Sequence, residues 1–211
     1  MLILINLSLG RKLTKKYSIN ISEKASELLG RETPKSLDNV ETHITGSVRE
    51  LCRAAADSCE KLGYKPLILT DELCCEAREA GSFLASIARS KARDNEKLAI
   101  IAGGETIVHL TGKGKGGRNQ ELALGAAIGI STANKSIAIA SIGSDGTDGP
   151  TDAAGGYVDN DTIRELESHG IDVHDVLLNN DAYNALKAVG GLIITGATGT
   201  NVNDVAVALI E

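Results

Sequence analysis

Aromatic side chains are nearly absent from this 211-residue chain, which has no Trp, one Phe and four Tyr. A core must therefore be assembled from Leu, Ile, Val and Ala, and stacking platforms for nucleic-acid bases are missing. Positive charge is also short: the formal net charge of −6 argues against general nucleic-acid binding. No apolar run approaches the roughly 20 residues of a membrane-spanning helix, so no membrane partner is expected. The opening MLILINLSLGRKLTKKY puts apolar before basic residues, the reverse of a signal peptide, and a cytoplasmic location is expected. Four cysteines at 52, 59, 74 and 75 lack zinc spacing and read as free structural thiols. His43, His109, His169 and His174 are scattered, and none is assigned chemistry.

What the chain has instead is glycine, 23 residues against 3 Pro, gathered at 103–104, 112–117, 143–156 and 190–199 between apolar runs. Glycines so placed suit an α/β protein whose loops bring backbone close to a ligand. Residues 1–38 read as a helical N-terminal arm, the remnant of a longer chain, and 39–211 as an α/β domain. Strands are expected at Val40–Thr45, Pro66–Thr70, Leu98–Ala102, Thr106–Thr111, Ile137–Ile142, Leu192–Thr195 and Val205–Ile210. Between them lie helices from Ser47 to Leu62, Cys75–Arg93, Asn119–Ile130, Asp161–Ser168 and Asp181–Val189. Ser47 with Glu50 forms a capping box. The alternation predicts a three-layer α/β fold with a mixed, mostly parallel sheet, and GGE between 98–102 and 106–111 suggests a local hairpin.

Three segments could carry chemistry. GKGKGGRNQE, residues 112–121, contains the Gly112-x-Gly114-x-x-Gly117 spacing, but the ribose-binding acid expected about 20 residues on is missing. It lacks the Gly-Lys-Ser/Thr of a Walker loop as well. Three cations ahead of a helix N-terminus favour an anion, with Arg118 suited to grip a carboxylate or phosphate through two donors; a solvated basic loop is the alternative. SIGSDGTDGPTDAAGG, residues 141–156, offers Asp145, Asp148 and Asp152, hard oxygen ligands that suit Mg²⁺, or else a series of Asp-Gly turns. TGATGTNVNDVAV, residues 195–207, presents Thr200, Asn201 and neighbouring amides and hydroxyls for a polyol or carboxylate, or a tight turn. Glu105 is a further carboxylate at a strand end. No Gly-x-Ser-x-Gly elbow or Ser/His/Asp set is present, which favours phosphoryl transfer, where a protein mostly positions groups and neutralises charge.

The segments IAGGETIVHLTGKGKGGRNQELAL, IGSDGTDGPTDAAGG and TGATGTNVNDVAVALI resemble the C-terminal MOFRL domain of class II glycerate kinases, a family formerly named as hydroxypyruvate reductases. They cover about 97–211, and GRETPKSLDNVETHITGS and LGYKPLILTDELCCEAREAG resemble the part preceding it. The resemblance implies an enzyme converting glycerate to 2-phosphoglycerate with ATP and Mg²⁺ in a cleft between two α/β domains. It assigns Arg118 to the transferring phosphoryl group or to glycerate, and Lys113 and Lys115 to phosphates. Gly116, Gly117, Asn119, Glu121, Thr200 and Asn201 fall to substrate or phosphate binding, and Asp145, Asp148 and Asp152 to metal. Members of the family are about twice as long, so this chain is expected to supply half of a site completed by a missing N-terminal domain. A homo-oligomer is left open. The alternatives are a non-catalytic anion-binding or assembly module and a hydroxypyruvate reductase.

Overall fold

The computed structural model describes residues 7–31, 36–41, 43–94 and 96–211, in two compact units, Met1–Ile44 and Thr45–Glu211. The first contains α1 (Leu7–Lys16) and α2 (Glu23–Leu28). Ser22 caps α2 by accepting the Ala25 N–H at 3.2 Å, and Arg11 Nε donates to the Leu29 carbonyl at 3.0 Å, tying the two helices together. Of the strand expected over Val40–Thr45, Thr42 lies outside the described residues and its neighbours join no strand.

The second unit runs α3 (Val48–Lys61), β1 (Lys65–Leu73), α4 (Ala77–Lys91), β2 (Leu98–Gly104), α5 (Arg118–Ile130), β3 (Ile137–Gly143), β4 (Gly155–Asp159), α6 (Thr162–Ser168), α7 (Val173–Leu178), α8 (Ala182–Ala188), β5 (Leu192–Ile193) and β6 (Asp204–Ile210). Ser47 Oγ accepts the Glu50 N–H and starts α3, which is half of the expected capping box; the Glu50 carboxylate accepts from Arg53 Nη1 at 2.7 Å instead. No helix among the described residues is long and apolar enough to cross a membrane.

The six strands form one mixed sheet in the order β1-β2-β6-β3-β4-β5. The α/β class and the mixed sheet agree with the sequence; the expected excess of parallel pairs does not. Only β1 and β2 run parallel, while β6 is antiparallel to both β2 and β3, and β4 to β3 and β5. The C-terminal strand inserts between β2 and β3, and local periodicity carries no information about so distant a pairing. The hairpin after β2 is also absent, because β1 and β6 already occupy both edges of that strand. Residues 106–111 leave the sheet, and Ile107 makes an isolated bridge with Glu76. β4 and α7 were not expected; both are short and carry little periodicity.

Alternation along β2 divides the core. Ile100 joins the layer of α4 and α5, with Leu122, Leu124, Ile130, Ile139 and Ile210. Ala99 and Ile101 face α3 with Cys52, Cys59 and Val205, giving helices on both faces of the sheet. Without aromatic volume the layers close by approaching each other. A Cβ on Gly81 of α4 would overlap the Leu122 carbonyl of α5, and one on Gly129 would lie 2.6 Å from Ala85 Cβ.

Candidate functional site

The site grows from one row of the sheet. Gly104 ends β2, Gly143 ends β3, and Asp204, opening β6, pairs with both. Antiparallel insertion of β6 thus sets a carboxylate between two strand ends, where the loops gather. Arg118, the first residue of α5, forks onto it: Nε donates to Asp204 Oδ2 at 2.5 Å and Nη2 to Oδ1 at 3.1 Å. Glu105 lies 3.5 Å from the same Nη2. Asp204 is buried, and its hydrogen bond pushes the Arg118 guanidinium further above its ordinary range. Arg118 Nη1 keeps no hydrogen bond among the described residues. The residue opens onto a cleft of about 630 Å³ whose wall includes Glu105, Ile107, Lys113, Glu121, Asp148 and Asn180.

The glycine loop 112–117 has a different role from the one its cations suggested. The N–H groups of residues 112–115 are already bonded to the turn between α7 and α8. Thr111 and Gly112 donate to Asn180 Oδ1 at 2.8 and 2.9 Å. Lys113 donates to Asn179 Oδ1 at 3.1 Å and Lys115 to Asp181 Oδ1 at 2.8 Å, while Gly114 donates to the Asn179 carbonyl at 2.8 Å. A Cβ on Gly112 would run into the Asn179 backbone, and one on Gly114 into Asp181. The spacing that resembled a phosphate fingerprint serves close packing against that turn. Asn180 adopts φ +55° there, a left-handed conformation that Asn tolerates better than most residues.

The N-terminus of α5 is occupied as well. Gly117 supplies no capping side chain; the Asp148 carboxylate does so from another loop. It accepts from Asn119 N at 3.1 Å, Gln120 N at 2.9 Å and Asn119 Nδ2 at 3.2 Å. The anion that helix dipole and free amides favour at this point is an internal one. Burial pushes the Asp148 carboxyl up against the pull of those donors. Asn119 is committed in turn, its Oδ1 accepting from Ser141 Oγ at 2.6 Å.

The three acids expected to share a metal are not clustered: no group of three or more His, Cys, Asp or Glu among the described residues could hold a metal ion. Asp148 caps α5. Asp152 accepts the Tyr183 hydroxyl at 2.7 Å, which holds its carboxyl below the usual range. Asp145 accepts from Thr147 N at 2.9 Å and Thr147 Oγ1 at 3.1 Å in an Asx turn, and from Asn201 Nδ2 at 3.4 Å. Asp145 lies beside the β2–β6–β3 row. A Cβ on Gly143 would lie 3.3 Å from its Oδ1 and 3.4 Å from Asp204 Oδ1.

The remaining candidates separate cleanly. The Lys115 ammonium sits 4.1 Å from the centre of the Tyr183 ring, next to Asp152 and away from the cleft wall. Lys113 is exposed, has no side-chain partner among the described residues and lines the cleft. Gly116, Gly117 and Glu121 also line it, and the buried Glu121 takes a hydrogen bond from Asn180 Nδ2 at 3.2 Å. The 195–203 loop is stapled beside the row, with Thr198 Oγ1 donating to the Ser144 carbonyl at 2.5 Å and Val202 N to Ser144 Oγ at 2.8 Å. This brings Asn201 to Asp145, whereas Thr200 bonds only within its own loop. Sequence reasoning missed Asp204, although a single charge opening the apolar run DVAVALI was a readable signal. It also missed the clamp Asn179–Asp181, which nothing local distinguishes from an ordinary turn.

Comparison with known proteins bears on this arrangement. Residues 98–204 match the MOFRL family, a span containing the cleft, the row and the clamp. A D-glycerate 2-kinase of Thermotoga maritima is 50% identical over 203 residues, 94% of this chain and 48% of that protein. An Agrobacterium vitis relative named as a hydroxypyruvate reductase is 40% identical, over 92% of this chain and 46% of its own length. The crystal structure of a Thermotoga maritima glycerate kinase superimposes with a TM-score of 0.84 at 48% identity, covering 98% of this chain and 50% of that one. The chain spans about half the length of these relatives. With just over half its own residues inside the matched span, and its sheet shared with that crystal structure, the chain belongs to the MOFRL family.

Proposed function

We propose that the chain supplies one wall of the active site of an ATP-dependent glycerate 2-kinase acting in the cytoplasm. In this reading the cleft is completed by a segment equivalent to the half of the relatives that this chain does not cover. The observation that carries it is Arg118. A guanidinium locked by Asp204 at the rim of a cleft, with Nη1 still available, is a rigid cation requiring little reorganisation as charge develops on a transferring phosphoryl group. Lys113, unpaired on the same wall, is the second cation, and it takes over from Lys115 the role of a phosphate contact.

For Mg²⁺, the residues present fit a sparse site. Mg²⁺ keeps several waters and needs only one or two carboxylates, and Asp145, with Asp204 close by, can meet that need without a three-acid cage. Bound there, the ion would neutralise charge on phosphate oxygens. Asn201 and the 195–203 loop offer amide and hydroxyl groups for the glycerate carboxylate and hydroxyls.

The test is product formation from D-glycerate and ATP with Mg²⁺. It is made with the chain alone and with the chain preceded by the uncovered half of the Thermotoga relative. Arg118→Ala is expected to lower turnover about 100-fold or more, the order seen when one pre-positioned charge-stabilising donor is removed. Unchanged turnover would remove Arg118 from the reaction. NADH oxidation with hydroxypyruvate, without ADP formation, would instead favour the reductase reading.

A further inference from the structure

A second concentration of positive charge lies at the other end of α5 from the cleft, where the last turn of α4 meets the loop 131–136. Between them opens a groove of about 350 Å³. Arg89, Arg93 and Lys135 line it together with Ser90, Thr132 and Asn134, and no carboxylate does. The chain as a whole carries a net charge of −6, so three cations facing no acid reverse its sign locally. The acids nearest in sequence are turned elsewhere, Asp94 to Lys91 at 3.9 Å and Glu96 to Lys65 at 3.0 Å. Compensation of the helix dipole accounts for Arg89 and Lys91, the basic residues in the last turn of α4. It does not account for Arg93, which follows the Ala92 cap, or for Lys135 in a different loop. Arg89 Nη1 is anchored on the Gly129 carbonyl at 3.3 Å, whereas Arg93 is exposed and has no partner among the described residues. The loop on the other side is fixed by Asn160. Its Nδ2 reaches the carbonyls of Ile130, Ala133 and Lys135 at 3.2, 3.3 and 3.1 Å, and its Oδ1 accepts from Ile137 N at 2.7 Å. Thr132, Asn134 and Lys135 are therefore presented on a loop that is already ordered.

We propose that this groove is a second anion site, separate from the cleft, whose ligand is a small phosphomonoester. The 13 residues of α5 hold it roughly 20 Å from Arg118 at 1.5 Å of rise per residue. A phosphomonoester brings about two negative charges at neutral pH and so matches three cations, where a carboxylate brings one. Guanidinium groups suit phosphate oxygens, which they can grip through two donors. The groove is larger than a bare phosphate requires, and its volume of about 350 Å³ is that of a small-molecule pocket. Ser90, Thr132 and Asn134 supply hydroxyl and amide groups for the hydroxyls of a short polyol ester. Every lining residue belongs to the unit Thr45–Glu211, so the site takes nothing from the half of the relatives that this chain does not cover.

The test uses the whole ¹⁵N-labelled chain, titrated at constant ionic strength with glycerol 3-phosphate, inorganic phosphate and acetate as probes. Amide shifts are expected at residues 89–93 and 131–136. They should saturate with glycerol 3-phosphate, saturate at higher concentration with inorganic phosphate, and be absent with acetate. Phosphate entering the cleft alone would instead shift residues 112–118. Arg93→Ala, a change at an exposed side chain, should weaken the ester about 3- to 10-fold, between the worth of an exposed ion pair and that of a charge-assisted hydrogen bond. Arg93→Glu should remove saturation altogether. Arg53→Ala takes a cation from α3, on the other face of the sheet, and should leave the affinity as it was. Shifts confined to 112–118, no saturable shift, an equal response to acetate, unaltered affinity in Arg93→Ala, or an equal loss in Arg53→Ala would each overturn the site. Inorganic phosphate binding as tightly as glycerol 3-phosphate would overturn the ester as its ligand.

Discussion

Replacing Asp148 by Ala tests the claim that α5 is held from outside its own sequence. Asp148 is 2% exposed and receives two first-turn N–H groups of α5 together with the Asn119 side-chain amide. Each buried donor left without an acceptor costs about 1–3 kcal/mol, and loss of a helix cap alone typically costs about 1 kcal/mol. Two orphaned backbone donors give roughly 2–6 kcal/mol, and relief of the desolvated carboxylate brings the net expectation to about 2–4 kcal/mol. With no Trp in the chain, far-UV circular dichroism in urea is the suitable assay. Asp148→Asn adds a check of sign. The folded carboxyl lies above the ordinary value of 3.8, so the native state binds more protons than the unfolded one. Wild-type stability from this group therefore falls as pH rises from 3.8 through the raised value, and the penalty of the Asn variant should shrink over the same window. A loss below about 1 kcal/mol in the alanine variant, or an Asn penalty that grows with pH, would refute the reasoning.

Three further outcomes follow from the same geometry. Gly81→Ala should destabilise by about 1–3 kcal/mol despite the better helix propensity of Ala, because α4 and α5 must separate; thermal melting reads it directly. Asn180→Ala should release the clamp on 111–112, speeding amide hydrogen exchange there while exchange in β2 stays slow, and uniform change across the unit would count against a local clamp. Lys113→Ala should leave the melting temperature unaltered and weaken ADP binding about 3- to 10-fold, the scale of one exposed ion pair; unchanged affinity would take Lys113 out of the phosphate contacts.

Much of the fold was legible because its determinants are local. The Ser47–Glu50 pair and the apolar runs at 98–102 and 205–210 carry their conformations with them. Sheet order was not legible, since β6 pairs with strands roughly 60 to 110 residues away. The site divides in the same way. Arg118 could be singled out because a guanidinium before a helix has few structural reasons to exist. Its partner Asp204 lies 86 residues on, and nothing in either segment names the other.

The sequence by itself determined that this chain is an α/β protein with an aliphatic core, three glycine-punctuated motifs and a cation positioned at the start of α5. These are properties of neighbouring residues, set by propensity, capping and hydrophobic period. Tertiary structure alone decided what each charged group does. Asp148 looked like a metal ligand until folding placed it at the N-terminus of α5, and Arg118 gained from folding the Asp204 partner that holds it at the cleft. A charged side chain's role depends on which counter-charge or donor shares its low-dielectric surroundings. That pairing is settled by long-range strand insertion, which local residue patterns do not encode.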